Sequence, residues 1–177
     1  MRSWKSASRT FLACDTMTSK KALPQAFEPE YLDLFRDIYE NKIVFNKLLG
    51  LKLHDIDPQG RVRASIDMRP ELVGHFAYNR VHGGVISAAL DAIGSAAVMA
   101  ALAARHMDEP PAKRIERFAK LGTIDLRVDY LRPGIGDHFT IHAECLRVGS
   151  RVGSARMEFC GPDGTLMSSG AAAYIVS

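Results

Sequence analysis

The clearest pattern along the chain is an alternation of apolar and polar residues with the period of a β-strand. It runs through residues 61–68 and returns in residues 123–131. Strict alternation of this kind predicts strands that bury one face. Further strands are predicted at residues 51–57, 139–148, 151–160 and 165–176. Within residues 139–148 the alternation slips phase at Leu146, as a β-bulge requires.

Short links join several of these strands. Residues 57–60 (DPQG) and residues 161–164 (GPDG) have the composition of tight turns. Links this short cannot carry a parallel crossover, so the sheet is predicted to be largely antiparallel.

Two other segments follow the pattern of an α-helix. Pro29 stands just inside the first, whose apolar positions continue to Leu49 before Gly50 closes it. The second covers residues 83–104 and is apolar almost throughout. One helix, two strands, a long helix and four strands in this order predict an α+β domain, in which an antiparallel sheet wraps around the long helix.

Within the segment RVHGGVISAALDAIGSAAVMAALAAR, residues 83–104 have the length of ~20 residues that a membrane span needs. Asp91 stands near its middle, and a charge at the membrane centre costs about 2.5–3.5 kcal/mol even on lenient scales. Alanine dominates the segment, and the neighbouring segments have the pattern of soluble strands. A helix that is apolar on all sides is otherwise buried on all sides. We therefore predict a core helix and no membrane span.

Asp91 belongs to a narrow stripe of small and polar residues. Gly84, Ser87, Asp91 and Ser95 follow one another at helical spacing, which places them on one side of the helix. The carboxylate has two interpretations. Neighbouring hydroxyl or backbone groups satisfy it and it serves only the structure, or it faces a bound molecule in the room that the small residues leave.

The sequence His82-Gly83-Gly84 stands where the long helix begins. A helix start carries unpaired N–H groups and partial positive charge, and glycine lets a ligand approach that backbone closely. This favours an oxyanion-type donor at the glycines. At about 1.5 Å rise per residue Gly83 and Asp91 are about 12 Å apart, whereas reacting atoms must lie ~3–3.5 Å apart. A catalytic site built from both groups is therefore predicted to be shared across a two-fold dimer.

The composition is that of one globular domain, with 177 residues of which 47% are hydrophobic and 24% are charged. The net charge of +3 is too small to indicate nucleic-acid binding. Three cysteines without metal-ligand spacing suit free thiols, so we expect a cytoplasmic protein without a metal site.

Residues 1–28 are predicted to be a disordered tail or to include a mis-set start, with Met17 as the true beginning. The segment is basic and serine-rich up to Asp15. The sequence FLAC at residues 11–14 has a slight likeness to a lipid-attachment box, but no apolar run long enough for a signal peptide precedes it. Residues 29–177 are then expected to form a single domain.

Several positions together carry a family resemblance: His82, Gly83, Gly84, Asp91, Thr123 and the segment DYLRP at residues 129–133. In this combination the chain resembles the hotdog-fold acyl-CoA thioesterases of the phenylacetic-acid type, from about Leu48 to residue 177. The resemblance implies a long central helix wrapped by an antiparallel sheet. It also implies a homodimer in which two sheets join edge to edge, and often a homotetramer formed as a dimer of dimers.

The resemblance implies roles for the matching residues. The Gly83 backbone N–H polarises the thioester carbonyl, and Asp91 of the facing protomer acts as general base or nucleophile. The Thr123 hydroxyl helps to position the attacking group. His82 either hydrogen-bonds the thioester or fixes the loop at the helix start. The implied reaction, typical of fatty acid metabolism, hydrolyses acyl-CoA to a free acid and coenzyme A. Coenzyme A is part of the substrate, and no cofactor is needed.

One position departs from the family pattern. Many members carry an asparagine seven residues before the first glycine, where this chain has Phe76. Asn79 could substitute for it in a rearranged loop. The residues expected to contact substrate are Gly84, Phe76, Asn79, Arg80, Arg132 and Arg151, with the arginines near the phosphates of coenzyme A.

The other candidate cations are Lys113, Arg114, Arg117 and Lys120. For any single one of the candidate cations, a solvated surface charge is the favoured interpretation. The acyl chain is expected between the long helix and the sheet, where Ile86, Leu90, Phe76 and Tyr78 are candidate walls.

Two alternative functions stay open at this point. The GHF sequence at residues 74–76 is similar to the histidine segment of hotdog 3-hydroxyacyl dehydratases, but the spacing to Asp91 does not fit that class. The second alternative is a non-catalytic acyl-CoA-binding module on the same fold, and a regulator of this kind would normally carry a DNA-binding helical module at its N-terminus. The thirty or so residues that precede the domain here are too few for one.

Overall fold

The computed structural model describes residues 26–177. Its helices are α1 (Pro29–Asp37), α2 (Val44–Leu49), α3 (Gly83–Ala103) and α4 (Pro111–Glu116). Its strands are β1 (Lys52–Ile56), β2 (Arg61–Asp67), β3 (Val73–His75), β4 (Arg80–Val81), β5 (Gly122–Tyr130), β6 (His138–Val148), β7 (Val152–Cys160) and β8 (Leu166–Ile175). A π-helical turn (Ile38–Lys42) follows α1, and short 3-10 turns cover Pro70–Leu72, Phe76–Tyr78, Ala104–His106 and Arg117–Lys120.

Six strands form one antiparallel sheet in the order β1-β2-β6-β7-β8-β5, and β3 pairs with β4 in a separate hairpin. All six predicted strands are confirmed, each within one residue at either end. The predicted bulge is also confirmed, because the register between β6 and β7 shifts between Cys145 and Arg147. Leu146, the additional residue, is exposed. β5 stands at one edge of the sheet.

The predicted first helix is confirmed in position but not in continuity. Ile43 is extended, with φ −76° and ψ 96°, so α2 starts anew after the π-helical turn. Gly50 ends α2, as predicted, and it takes the left-handed conformation at φ 72°. Apolar spacing alone does not distinguish an unbroken helix from two short ones that bury the same face.

The long helix α3 is the centre of the core and packs on β2, β5, β6, β7 and β8. The sheet approaches it closely, since a Cβ at Gly153 on β7 would lie 2.4 Å from Cγ1 of Val98. The segment Gly83–His106 has the length and apolar composition of a membrane span, but 61% of its most apolar window is buried inside the protein. An antiparallel sheet wrapped around one long helix is the hotdog fold, and it confirms the predicted α+β class.

The helix α4, which no pattern in the sequence predicted, buries Arg114 completely. The Arg114 guanidinium donates to the Glu28 carboxylate at 2.7 Å and lies 4.8 Å from the centre of the Tyr31 ring. The hydrogen bond from Arg114 holds the pKa of Glu28 below its ordinary value. The expectation that Arg114 binds phosphate is therefore wrong, because its side chain is enclosed and already paired.

The predicted tail falls largely on residues 1–25, which lie outside the described residues. Phe27 and Glu28 belong to the segment assigned to that tail, yet both pack against the domain. The ring centroids of Phe27 and Tyr31 lie 4.5 Å apart, and Glu28 pairs with Arg114. The packed part of the chain thus includes these two residues, and the assignment of residues 29–177 to one domain stays a prediction.

Cys145 and Cys160 are free thiols, as their spacing predicted. Burial raises the pKa of Cys145 to about 11, so this thiol is protonated at neutral pH. Cys14 lies outside the described residues. The cytoplasmic location, which was inferred from cysteine use, stays a prediction.

Candidate active site

The start of α3 leaves one backbone N–H group without a partner. His82 is the N-cap: its Nδ1 accepts a hydrogen bond from the Gly84 N–H at 2.8 Å. Its carbonyl accepts from the N–H groups of Val85 and Ile86 at 2.9 and 3.2 Å. Within residues 26–177, no hydrogen bond is found for the N–H of Gly83. The capping interactions therefore leave the Gly83 N–H as the donor that a carbonyl oxygen can reach.

The cap also fixes the tautomer of the neutral His82 ring. Because Nδ1 accepts a hydrogen bond, the neutral ring carries its hydrogen on Nε2. Gly84 is needed for this contact, since a Cβ there would lie 2.9 Å from Nδ1 of His82. The contact supports the interpretation in which His82 fixes the loop at the helix start. A hydrogen bond from His82 to a thioester stays a prediction.

Tyr130, at the end of β5, lies over the same helix start. Its hydroxyl donates to the Gly83 carbonyl at 2.8 Å, and a Cβ at Gly83 would lie 3.3 Å from the Tyr130 ring. The apolar alternation placed Tyr130 on one face of its strand with Ile124, Leu126 and Val128 but did not predict this hydrogen bond. Its place in the DYLRP segment, at the end of the predicted strand, was the signal that could have found it.

Asp91 lies on the half-buried side of α3, and its carboxylate accepts hydrogen bonds from Thr123. The Thr123 hydroxyl donates to Oδ1 of Asp91 at 3.0 Å and to Oδ2 at 3.2 Å. Thr123 stands at a β-bulge in β5, where the register with β8 shifts between Thr123 and Asp125. Bulges re-aim side chains, often next to active sites. The structure thus brings together in one chain the acid and the hydroxyl that the family resemblance paired.

A second neighbour, Tyr174, forms a hydrogen bond with the backbone of Asp91. Tyr174 is the cross-strand partner of Thr123, and its hydroxyl donates to the Asp91 carbonyl at 3.0 Å. Burial raises the pKa of Tyr174 and the nearby Asp91 carboxylate adds to the effect, so the phenol stays protonated. Gly94 makes room for it, because a Cβ there would lie 2.3 Å from the Tyr174 hydroxyl oxygen and 2.8 Å from Sδ of Met157. No sequence pattern predicted this contact.

Replacing Gly94 with alanine is expected to destabilise the fold by about 1–3 kcal/mol, because the methyl group overpacks the interface between α3 and the sheet. The measurement is the free energy of unfolding in urea. Tyr174→Phe removes the hydroxyl that the methyl group meets, so the alanine should cost less in that background. A Gly94→Ala chain as stable as the parent would contradict the tight fit at this position.

The two candidate catalytic groups lie at different places along α3. Since α3 is continuous from Gly83 to Ala103, the separation of about 12 Å between Gly83 and Asp91 stands. β5 contacts both places, through Thr123 at Asp91 and through Tyr130 at Gly83. One chain therefore carries two separate candidate groups, which we call half-sites: the Gly83 N–H, and the Asp91 carboxylate with Thr123.

The loop before α3 holds three of the predicted substrate contacts. The Phe76 side chain is 93% exposed, and Asn79 takes a left-handed conformation at φ 48°. The Arg80 guanidinium lies 4.6 Å from the centre of the Tyr78 ring. None of these features assigns a substrate role, so the roles of Phe76, Asn79 and Arg80 stay predictions.

Arg132 and Arg151 lie at opposite ends of the sheet. The Arg132 guanidinium donates to the carbonyl of Leu166, the first residue of β8, whereas the Arg151 carbonyl accepts from Val176, just after the last one. The length of β8 at about 3.3 Å per residue separates the two positions by about 30 Å. Within one chain these arginines therefore cannot hold the same phosphate group.

Comparison with known proteins shows which family the chain is similar to. The model of the thioesterase superfamily matches residues 78–168, which include Gly83, Asp91, Thr123 and Tyr130. The medium/long-chain acyl-CoA thioesterase YigI of Salmonella typhimurium is 35% identical over 145 residues, which cover 82% of this chain and 93% of that protein. The medium/long-chain acyl-CoA thioesterase YigI of Escherichia coli K12 is 34% identical over 145 residues, which cover 82% of this chain and 93% of that protein.

A solved structure shows the same similarity. A protein of Shewanella oneidensis that is described as related to the thioesterase superfamily has a TM-score of 0.77 and 35% identity. The match covers 85% of this chain and 100% of that one. The fold, the residues at the start and middle of α3 and these matches lead to one conclusion: the chain belongs to the thioesterase superfamily.

Proposed function

We propose that this protein is an acyl-CoA thioesterase that hydrolyses acyl-CoA to a free acid and coenzyme A. The observation that carries the proposal is the pair of half-sites on α3: the Gly83 N–H without a partner and the Asp91 carboxylate bonded by Thr123. Membership of the thioesterase superfamily supports the reaction class, and the YigI relatives support medium or long acyl chains. No metal or cofactor is required for this chemistry.

The first step uses the helix start. The thioester carbonyl oxygen accepts a hydrogen bond from the Gly83 N–H, where the partial positive charge at the N-terminus of α3 favours developing negative charge. The carbonyl carbon thereby becomes a better electrophile. Through its Nδ1, His82 keeps the Gly84 N–H occupied and so holds this first turn in shape.

The second step uses Asp91 of the facing protomer. As general base, its carboxylate takes a proton from water while the water oxygen bonds to the carbonyl carbon. The tetrahedral intermediate then collapses, the C–S bond breaks, and the proton leaves with the coenzyme A thiolate. As nucleophile, the Asp91 carboxylate would instead attack the carbonyl carbon, the C–S bond would break and the coenzyme A thiolate would leave and take a proton from solvent; water would then hydrolyse the anhydride to the free acid and the Asp91 carboxylate. The Thr123 hydroxyl orients the carboxylate for either route.

The dimer is part of the proposal, because the half-sites of one chain are too far apart to cooperate. β5 is an edge strand that exposes Ile124 and Tyr130, and an exposed apolar edge is a ready surface for pairing with a second chain. In an edge-to-edge homodimer the helices α3 run side by side in opposite directions, so the Gly83 of one protomer faces the Asp91 of its partner. A dimer of dimers is compatible with the same pairing.

The test is thiol release from a panel of acyl-CoAs, followed with a thiol reagent. We expect hydrolysis of medium-chain and long-chain acyl-CoAs without added metal. The cytoplasm is the predicted location of the enzyme. Hydration of crotonyl-CoA without thiol release would instead favour a dehydratase. Tight binding of acyl-CoA with neither reaction would favour a non-catalytic binding module, and either result would overturn the thioesterase proposal.

A further inference from the structure

Tyr130, the last residue of β5, contacts the residue whose N–H group is the candidate oxyanion donor. Its hydroxyl donates to the Gly83 carbonyl at 2.8 Å, and a Cβ at Gly83 would lie 3.3 Å from its ring. The two residues are 47 positions apart in sequence, so the contact forms only when β5 and the start of α3 are both in place. Within one chain the Tyr130 side chain is still 54% exposed. The contact therefore lies at the half-site itself and not in the core.

The two glycines that start α3 need contacts from outside the helix to hold one conformation. Glycine has no Cβ, so its backbone can take more conformations than that of other residues, and the first turn of a helix lacks intrahelical partners for its N–H groups. A donor stabilises an oxyanion best when its direction is fixed before the reaction starts. The direction of the Gly83 N–H therefore depends on the groups that hold the peptide planes around it.

Hydrogen bonds hold both peptide planes that meet at the Gly83 Cα. The plane before it, which carries the donor, is held through the His82 carbonyl, which accepts from two N–H groups of the first turn. The plane after it is held at both ends: the Gly84 N–H donates to Nδ1 of His82, and the Gly83 carbonyl accepts from Tyr130. Because the two planes share the Gly83 Cα, the hydrogen bond from Tyr130 also restrains the position of the donor.

The same strand also supports the acid. Thr123, near the other end of β5, donates to the Asp91 carboxylate, so β5 carries a hydrogen-bond donor to each half-site. In the proposed homodimer the β5 strands of the two protomers join edge to edge, and the Gly83 of one protomer faces the Asp91 of its partner. Tyr130 thus ties the amide to one β5 strand as Thr123 ties the acid to the other. The spacing of the two half-sites then follows from the pairing of the two strands.

We propose that Tyr130 is a positioning residue: its hydroxyl holds the Gly83 N–H in the direction that the thioester carbonyl oxygen needs. The inference rests on the proposed thioesterase function and adds a residue that acts through Gly83 and takes no part in proton transfer. A badly directed donor weakens the interaction with the developing oxyanion more than it weakens the binding of the substrate. The Tyr130 hydroxyl therefore raises kcat and has little effect on KM.

The test is a double-mutant cycle between Tyr130→Phe and Gly83→Pro, in which kcat and KM are measured by thiol release from octanoyl-CoA. Phenylalanine keeps the ring over Gly83 and removes the hydrogen bond, so kcat should fall by about two- to tenfold, the effect of one hydrogen bond. KM should stay within about twofold of the parent value. In the Gly83→Pro chain no N–H remains to be positioned, so Tyr130→Phe should change its residual kcat by less than about twofold.

Two control chains make the cycle specific. Gly83→Ala adds a Cβ beside the Tyr130 ring, as proline does, but it keeps the N–H, so the full effect of Tyr130→Phe should remain in this background. Tyr31→Phe makes the same chemical change on α1, where the buried Tyr31 hydroxyl has no hydrogen-bond partner within residues 26–177 and the ring packs on Arg114. This second control should keep the parent values of kcat and KM.

Two results would overturn the inference. One is a kcat in Tyr130→Phe that equals that of the parent. The other is a fall in kcat that is equally large in the parent and in the Gly83→Pro chain, because a role that acts through the Gly83 N–H cannot persist without it. In either case the parent still releases thiol, so the proposed reaction stands and only the role of Tyr130 fails.

A measurement without turnover separates the two proposals in the other direction. Octanoyl-CoA that is isotope-labelled at the carbonyl carbon is bound to Asp91→Asn chains, and the infrared stretching frequency of its carbonyl group is recorded. A hydrogen bond from the Gly83 N–H lowers this frequency, and Tyr130→Phe should make the lowering smaller. If the parent hydrolyses nothing but this difference is seen, the reaction proposal fails and the positioning role of Tyr130 stands.

Discussion

Hydrolysis of medium-chain acyl-CoA by the Asp91→Asn chain is expected to fall by about 10²–10⁴-fold in kcat, the usual contribution of a positioned acid or base. Asparagine keeps the size of the side chain and can still accept the hydrogen bond from Thr123. It cannot take a proton from water or form an anhydride. Because the interaction is made mainly in the transition state, KM should change little. The measurement is steady-state thiol release.

Ser95→Ala is the matched control for this variant. Ser95 lies on the same side of α3, one turn after Asp91, and its hydroxyl donates to the Ala92 carbonyl rather than to the carboxylate. Its loss should leave kcat within about threefold of the parent, the effect of one ordinary hydrogen bond. If kcat fell by the same small factor in Asp91→Asn and in Ser95→Ala while the dimer persisted, the purely structural interpretation of Asp91 would be correct.

The Gly83→Pro chain is expected to lose about 10²–10³-fold in kcat, the cost of removing one oxyanion donor. Proline has no N–H, and it is well tolerated at the first position of a helix. Gly83 is that position, and His82 before it is already extended, with φ −65° and ψ 136°, as a residue before proline prefers. The substitution thus removes the donor and keeps the backbone of the first turn of α3, while its Cβ meets the Tyr130 ring as that of an alanine would.

Gly83→Ala separates the loss of the donor from crowding by the side chain. Alanine keeps the N–H and adds a methyl group 3.3 Å from the Tyr130 ring, which must shift by a few tenths of an ångström. We expect this variant to keep most of the activity. Equal losses in the alanine and proline chains would show that space at Tyr130, and not the N–H, explains the effect.

Mixing the two defective chains tests whether the site is shared. In a two-fold dimer of one Asp91→Asn and one Gly83→Pro chain, one site receives both defects and the other receives neither. Refolding equal amounts together should therefore restore up to about a quarter of the parent activity, because half of the dimers are mixed and each has one intact site. No recovery in dimers shown by mass to be mixed would mean that each chain builds its own site.

The local parts of this fold could be predicted from the sequence. The six strands of the sheet, the bulge at Leu146 and the left-handed end of α2 at Gly50 each follow from residues close together in the chain. The break at Ile43 and the helix α4 were not predicted. Apolar spacing records which side of a segment is buried, and it does not record where the segment changes direction.

The site could be predicted only in part. Its most specific pair, Gly83 and Asp91, lies on one helix, so their separation follows from the rise of an α-helix. Thr123 entered through the family resemblance and not through any spacing. Tyr174 was missed, since its contact with Asp91 depends on the pairing of β8 with β5.

The sequence by itself determined the six strands of the main sheet and the long helix, and it determined the separation of about 12 Å between the amide at Gly83 and the acid at Asp91. Both follow from the geometry of neighbouring residues. The tertiary structure decided which residues distant in sequence support those two groups: Tyr130 at the helix start, Thr123 and Tyr174 at the acid. It also placed Arg132 and Arg151 at opposite ends of β8. The physical reason is that sheet order and strand register, which no local pattern encodes, set the contacts between elements.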